Sequence, residues 1–260
     1  SLDADGFTVG ATGATNINGR SYVAWNWKAN GGTTSTNSEG SKDVTVQANT
    51  TAGFSIITYS GDTSSFTLGH GLDFAPEWII VKSRTFSERW VVFHTSISDQ
   101  YIYLSDTFAG STGNADERFG NSTSVVVPTD TLVTLGANNN DVSKNGENYV
   151  MYCFHSVEGY SRFGSYIGNG STNGTFVFTG FRPAWVMVKN NDSGSDSWHI
   201  YDNKRDTFNI ANSRLNANNT SVEDEVVPFG DFLSNGFKLR PSSSYLSQVN
   251  ANNNKYIYMA

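Results

Sequence analysis

The chain repeats itself at long range. Ala75-Pro76-Glu77-Trp78-Ile79-Ile80-Val81-Lys82 returns as Arg182-Pro183-Ala184-Trp185-Val186-Met187-Val188-Lys189, an offset of 107 from Pro76 to Pro183. Tyr59-Ser60-Gly61 returns as Tyr166-Ile167-Gly168 at the same offset. So does Tyr149-Val150-Met151-Tyr152 as Tyr256-Ile257-Tyr258-Met259, and Trp90 and Trp198 lie 108 apart. Anchors sharing one offset predict an internal duplication. The period is too long for a solenoid or propeller blade and suits one small β domain. The expected organisation is one repeat over 53–156 and a second over 157–260, with 29–52 as linker and edge segment. Gly6-Phe7-Thr8-Val9-Gly10 followed by Tyr22-Val23-Ala24-Trp25 resembles Leu132–Gly136 before Tyr149 and Gly236–Leu239 before Tyr256. Residues 1–28 therefore read as the C-terminal strands of a preceding repeat, and the chain as a piece of a longer array.

Within each repeat the hydrophobic period is two residues, not 3.6. Short apolar, β-branched and aromatic runs are bounded by Gly, Asn, Asp or Ser, as strands are. Examples are Tyr22–Trp27, Phe54–Tyr59, Trp78–Lys82, Trp90–Phe93, Tyr101–Leu104, Tyr149–Phe154, Thr175–Phe178, Trp185–Lys189, Trp198–Tyr201, Gly236–Leu239 and Tyr256–Met259. No dozen residues carry a helical stripe. One short helix is expected near Ser221–Phe232, limited by Pro228 and Gly230. The fold class is all-β: tandem antiparallel β-sandwich domains of jelly-roll, concanavalin-like or laminin-G-like type. The joint Phe154–Tyr160 is short and partly apolar, so the two repeats are expected to pack together.

Composition narrows the partners. Seventeen Lys and Arg stand against 24 Asp and Glu, a net charge of −7 with no basic cluster. This argues against nucleic acid. No apolar run is long enough to insert across a membrane. Cys153 is the single cysteine, which excludes an internal disulfide framework and a Cys-rich metal site. Inside its strand it reads as a packing residue.

Several segments together resemble a known family. They are Tyr22–Ala29, Thr50–Ile56, Gly69–Leu72, Ala75-Pro76, Ile79–Lys82, Glu158–Ser161, Phe163–Tyr166, Gly168–Ser171, Gly180–Ala184 and Asp231–Arg240. Spanning nearly the whole chain, they are similar to a domain family of unknown function found in virion proteins of tailed, often marine, bacteriophages. The resemblance implies a lectin-like sandwich on the virion surface, as a tail-fibre or adhesin segment. It implies a host cell-surface glycan or receptor and other virion proteins as partners. A homo-oligomer, a trimer by fibre analogy, goes with that reading. The family brings no catalytic motif. Two alternatives stand beside attachment: a structural virion component binding only other virion proteins, and a polysaccharide depolymerase.

The chemistry-bearing residues are sparse. Asp116-Glu117 and Glu223-Asp224-Glu225 are the carboxylate pairs glycoside hydrolysis would need. They do not correspond between repeats and sit in polar stretches, so they read as solvated loop charge. His70, His94, His155 and His199 show no metal-ligand spacing. Asp3, Asp5 and Asn140-Asp141 offer hard oxygens for calcium, but no EF-hand pattern is present. Catalytic residues, metal ligands and cofactors are accordingly assigned as none. Trp78 with Trp185, and Trp90 with Trp198, occupy matching positions and are expected to be packing residues. Ligand contacts are sought where the repeats differ, in Ser105–Asn121 and Asp206–Pro228, with Arg118, Arg205 and Arg214 as polar candidates. No individual binding residue is assigned.

Overall fold

The structure, a computed structural model, describes residues 3, 6–11, 13 and 15–260. It is all-β. The first half contributes β1 (Ser35–Asn37), β2 (Val44–Asn49), β3 (Phe54–Ser60), β4 (Phe66–Gly69), β5 (Trp78–Ser83), β6 (Val91–His94) and β7 (Ile102–Tyr103). A single helical turn α1 (Ala115–Arg118), β8 (Leu132–Leu135) and β9 (Asn148–Phe154) complete it. The second half contributes β10 (Phe163–Ile167), β11 (Phe176–Phe178), β12 (Trp185–Asn190), β13 (His199–Asp202), β14 (Leu215–Asn216), β15 (Gly230–Leu233) and β16 (Gly236–Leu239). Helix α2 (Leu246–Asn250) and β17 (Lys255–Met259) follow.

Two large sheets dominate. One has the order β1-β2-β3-β9-β5-β6-β7, the other β10-β17-β12-β13-β14. The five strands from β3 to β7 thus have the order found in the second sheet. The small β4-β8 pair has its counterpart in β11-β16, to which β15 adds. All these pairings are antiparallel. Side-chain bonds match as well. Tyr59 Oη donates to the Val142 carbonyl and Tyr166 Oη to the Val249 carbonyl, each at 2.7 Å. Tyr59 stacks on Tyr149 and Tyr166 on Tyr256, with centroids 5.4 and 4.9 Å apart. At the end of this tyrosine strand sits a glycine in both halves. A Cβ on Gly61 would lie 2.1 Å from the Lys144 carbonyl oxygen, and one on Gly168 2.0 Å from that of Ala251. Only glycine admits so close a backbone approach.

Strand alternation sorts side chains to the two faces of each large sheet. Ile79 and Val81 of β5 enter a core with Leu68, Phe93, Val133 and Met151, under the β4-β8 pair. Val186 and Val188 of β12 enter a second core with Val177, Phe229 and Phe237. The opposite faces meet each other: Phe54, Trp78, Phe154, Phe163, Met187, Trp198 and Ile257 form a middle core. The result is a stack of four sheet layers. Its middle seam is fastened by Trp78 against Trp198, 5.8 Å between ring centroids, and by Trp198 Nε1–H donating to the Tyr103 carbonyl at 2.8 Å. Lys189 Nζ, fully buried, donates to the carbonyls of Thr107, Asn190 and Ser193 at 3.1, 2.8 and 3.3 Å.

Two expectations need correction. Tyr22–Trp27 forms no strand: among the described residues it pairs with no other strand and lies across the seam instead. Ser221–Phe232 forms no helix. Arg214 and Asp224 exchange backbone hydrogen bonds at 2.8 and 3.0 Å, Val227 N–H goes to Asn212, and Gly230–Leu233 is β15. These long-range partners take the groups a helix would use internally. Residues 29–52 supply β1 and β2, which extend the first large sheet beyond β3.

The matching tyrosines carry matching loads. Tyr59→Phe and Tyr166→Phe each strand a buried carbonyl, so each should cost about 1–3 kcal/mol in chemical denaturation.

Candidate functional site

The two large sheets separate at one end of the seam. At the closed end Trp78 and Trp198 are fully buried against each other. Their counterparts Trp185 and Trp90 stand on the walls of an open cleft of about 410 Å³, with Ile56, Ile80 and Tyr152 beside them. Strand pairing fixes these rings. Trp185 opens β12 opposite Asp202, and Trp90 immediately precedes β6.

Residues 22–29 run over this opening. Ala29 is buried in the middle core and Asn49 Nδ2–H holds the Lys28 carbonyl at 3.3 Å. Trp25 and Trp27 meet Trp185 edge-on, at 6.3 and 5.4 Å. Trp27 remains 42% exposed, so its ring is half available to a ligand. Trp25 is anchored by Nε1–H donating to Asp202 Oδ2 at 3.2 Å, with the Arg205 guanidinium 5.8 Å from its ring. Arg205 in turn holds Asp202 at 2.7 Å and Glu223 at 2.6 Å. Burial pushes the Asp202 carboxyl up, but the Arg205 guanidinium and the backbone N–H groups of Arg205 and Lys204 outweigh it, leaving the pKa below the ordinary value. A recess adjoining the cleft is lined by Trp90, Leu104, Ser105, Ala217 and Asn218. The cleft is thus walled by aromatic and aliphatic side chains, with Ser105 and Asn218 beside it; Ser105 Oγ accepts from Trp90 N–H at 3.2 Å and Asn218 Oδ1 from Trp198 N–H at 2.9 Å. Concave sites of this kind, mostly apolar with few polar groups, are the usual shape of small-molecule pockets.

The polar candidates fare differently. Arg118 donates to Asp141 Oδ2 through Nε at 3.0 Å and Nη2 at 2.6 Å, and lies 3.9 Å over the Tyr101 ring. Arg214 is engaged by Asp224 at 3.4 Å and by Gln248. All three arginines are therefore committed within the chain. Of the carboxylates, Glu223, Asp224 and Glu225 line one open recess of about 450 Å³ with Arg214, and Asp116 and Glu117 do not line it. Asp116 and Glu117 open α1 in the first half, and Asn139 donates to Glu117. Glu223 and Asp224 are ion-paired in the second half. Among the described residues, no three His, Cys, Asp or Glu side chains converge as a metal site. Asp141 is taken by Arg118, and Asp5 lies outside the described residues. His70 is occupied by Leu72 N–H and the Thr129 carbonyl, and His199 by Asn216. Cys153 is buried in β9, where burial raises its thiol pKa.

Sequence reasoning missed Trp25 and Trp27 by reading them as strand. It also treated each tryptophan pair alike, whereas one member of each pair is buried and the other faces the cleft. The available signal was three aromatics within Tyr22–Trp27 and no partner strand nearby.

Fold and cleft define a class: a stacked antiparallel β-sandwich protein with an open aromatic cleft between its large sheets. Within that class the chain belongs to the family described as Domain of unknown function (DUF7483), whose model matches residues 1–260. No curated protein and no solved structure matches the chain.

Buried imidazoles at and beside the seam set an acid limit. Burial pushes His94 down to about 4 and His199 to about 3. The folded state keeps both rings neutral, while the unfolded chain takes up protons near pH 6.5. The stability they support is complete above about pH 6.5 and is lost as pH falls toward 4. Denaturation free energies should drop over this window, on the order of 3 kcal/mol for His94. His94→Gln should flatten that slope.

Proposed function

We propose that this chain is a non-enzymatic attachment module of a virion surface, holding a host-surface glycan or receptor in the cleft between its large sheets. The observation that carries the binding reading is the convergence of Trp25, Trp27, Trp90 and Trp185 on one open cleft with Ser105 and Asn218 nearby. Sugar rings present C–H faces that lie on indole, while hydroxyl and amide groups meet their edges. The rigid middle seam supports this reading, because preorganised walls spare the entropy of ordering the site. The virion setting rests on the family resemblance of the sequence. A tail-fibre context, with a trimer by analogy, would multiply weak single sites by avidity. We also infer that the two halves arose by internal duplication, supported by their common strand order and the paired tyrosine and glycine contacts.

A structural virion role is the second reading. Exposed apolar side chains favour it: Phe178 at 63% on the outer face of β11, Phe208 at 85% and Val222 at 84% in the loop over 206–228. Such side chains suit protein contacts. The depolymerase reading is less favoured, because Glu223 and Asp224, which share a recess, are ion-paired to Arg205 and Arg214.

The test is a glycan array and host-cell binding assay on purified protein, with light scattering on the same sample. Saturable binding without product release is expected. Trp90→Ala and Trp27→Ala should each weaken it about tenfold, the loss typical of a buried aromatic contact. Absence of binding together with a stable oligomer would favour the structural reading.

A further inference from the structure

We propose that β10 is a pairing edge whose partner is β10 of a second copy of this chain, joined antiparallel about Ser165. Strand β10 borders the second large sheet, and among the described residues nothing pairs with its outer side. Arg162 and Ala260 exchange both backbone hydrogen bonds at 2.9 Å, and Gly168 N–H reaches Asn254 at 2.9 Å. The alternation of an antiparallel ladder then turns residues 162, 164, 166 and 168 toward β17. Phe163, Ser165 and Ile167 present their N–H and C=O outward.

Two of those six outward groups are already satisfied at home. Phe163 N–H donates to Ser156 Oγ at 3.2 Å, and Ile167 C=O accepts from Thr175 Oγ1 at 2.8 Å. The four that remain are Phe163 C=O, Ser165 N–H, Ser165 C=O and Ile167 N–H. This set is its own complement. A two-fold axis through Ser165 places Ser165 opposite Ser165 of the other copy and Phe163 opposite Ile167. Ser165 N–H then meets Ser165 C=O in both directions, and Ile167 N–H meets Phe163 C=O in both directions. Every remaining group is used. The same register sets Phe163 N–H opposite Ile167 C=O of the other copy, so these two groups share or exchange their bonds to Ser156 Oγ and Thr175 Oγ1 when the ladder closes.

The first half shows what this edge accepts. Its counterpart is β3, and there β2 covers it antiparallel, with Thr45 opposite Thr58, the residue 107 before Ser165. The turn after β1 also closes over β4, where Ser41 and Thr67 exchange hydrogen bonds at 2.8 and 2.9 Å. In the second half only residues 155–162 separate β9 from β10, too few to supply a covering strand. β10 also lacks the usual guards of an exposed edge, since Phe163-Gly164-Ser165-Tyr166-Ile167 contains no charge and no proline. Ser165 is exposed, and Ile167 is 50% exposed, which leaves apolar surface to bury against the partner. A two-fold contact of this kind is isologous and closes on itself.

The proposal is independent of ligand binding in the cleft, and the two can fail separately. Sedimentation velocity on the whole chain from about 1 to 300 µM, the range in which a small interface associates, should show a monomer–dimer equilibrium. Hydrogen exchange should slow at Ser165 and Ile167 with rising concentration, but not at Phe163, whose amide is already bonded. Ser165→Pro deletes an outward N–H that an edge strand can spare. Because that donor occurs twice across the dyad, dimer affinity should fall at least about tenfold with the monomer's melting temperature unchanged. If Ser165→Pro does not fold, exchange on the unmodified protein decides. A monomer throughout the range would overturn the proposal, as would an oligomer in which the Ser165 amide stays unprotected or Ser165→Pro has no effect.

Discussion

Everything in this molecule depends on the seam between its two large sheets. Each large sheet is apolar on both faces, so each needs two covers. Within β5, Ile79 and Val81 serve the outer core while Trp78 and Ile80 serve the middle one. The runs Trp78–Val81 and Tyr149–Phe154 are therefore nearly continuous in apolar residues, the pattern of sheets buried on both sides rather than of half-solvated ones. A sandwich of one large and one small sheet would leave the other face of the large sheet in water. Pressing the large sheets together removes both faces at once. That is why the two halves form one four-layer stack instead of two beads on a string.

Much of this was legible in the sequence. The 107-residue offset locates corresponding strands, and the structure gives those strands one order and one set of tyrosine hydrogen bonds. Strand positions were legible because period-two patterning and Gly/Asn turns are local signals. The seam's geometry was not, since alternation within a strand does not say which neighbour covers each face. The Ser221–Phe232 segment failed for a related reason. Its helical signal, Ser221 ahead of Asp224 and Glu225, is local, but Arg214, Asn212 and Arg205 are not, and their bonds to Asp224, Val227 and Glu223 decide its course. Residues 22–27 resemble the strands that end each half, yet resemblance to a central strand cannot supply the neighbours such a strand requires.

The candidate site follows from the same stacking. Two similar halves meet face to face, but their four seam tryptophans end in unequal settings. Trp78 and Trp198 close one end, and Trp185 and Trp90 line the other. Burial and exposure are therefore not properties of the sequence position here. The same position is core in one half and cleft wall in the other, and only the three-dimensional arrangement separates the two. Arg118, Arg205 and Arg214 show the converse. Arg118 and Arg214 sit in the segments that differ between halves and Arg205 immediately precedes one, yet their charges are spent holding those segments in place.

Lys189 adds a final consequence. Its ammonium lies among carbonyl oxygens from both sides of the seam, and burial lowers its pKa to about 8. A monovalent metal ion would be coordinated by just such a shell. Here the ion is a side chain, attached by its own aliphatic stem to β12. A chelator cannot strip this cation and dialysis cannot dilute it away; only a rise in pH through about 8 removes its charge from those carbonyls.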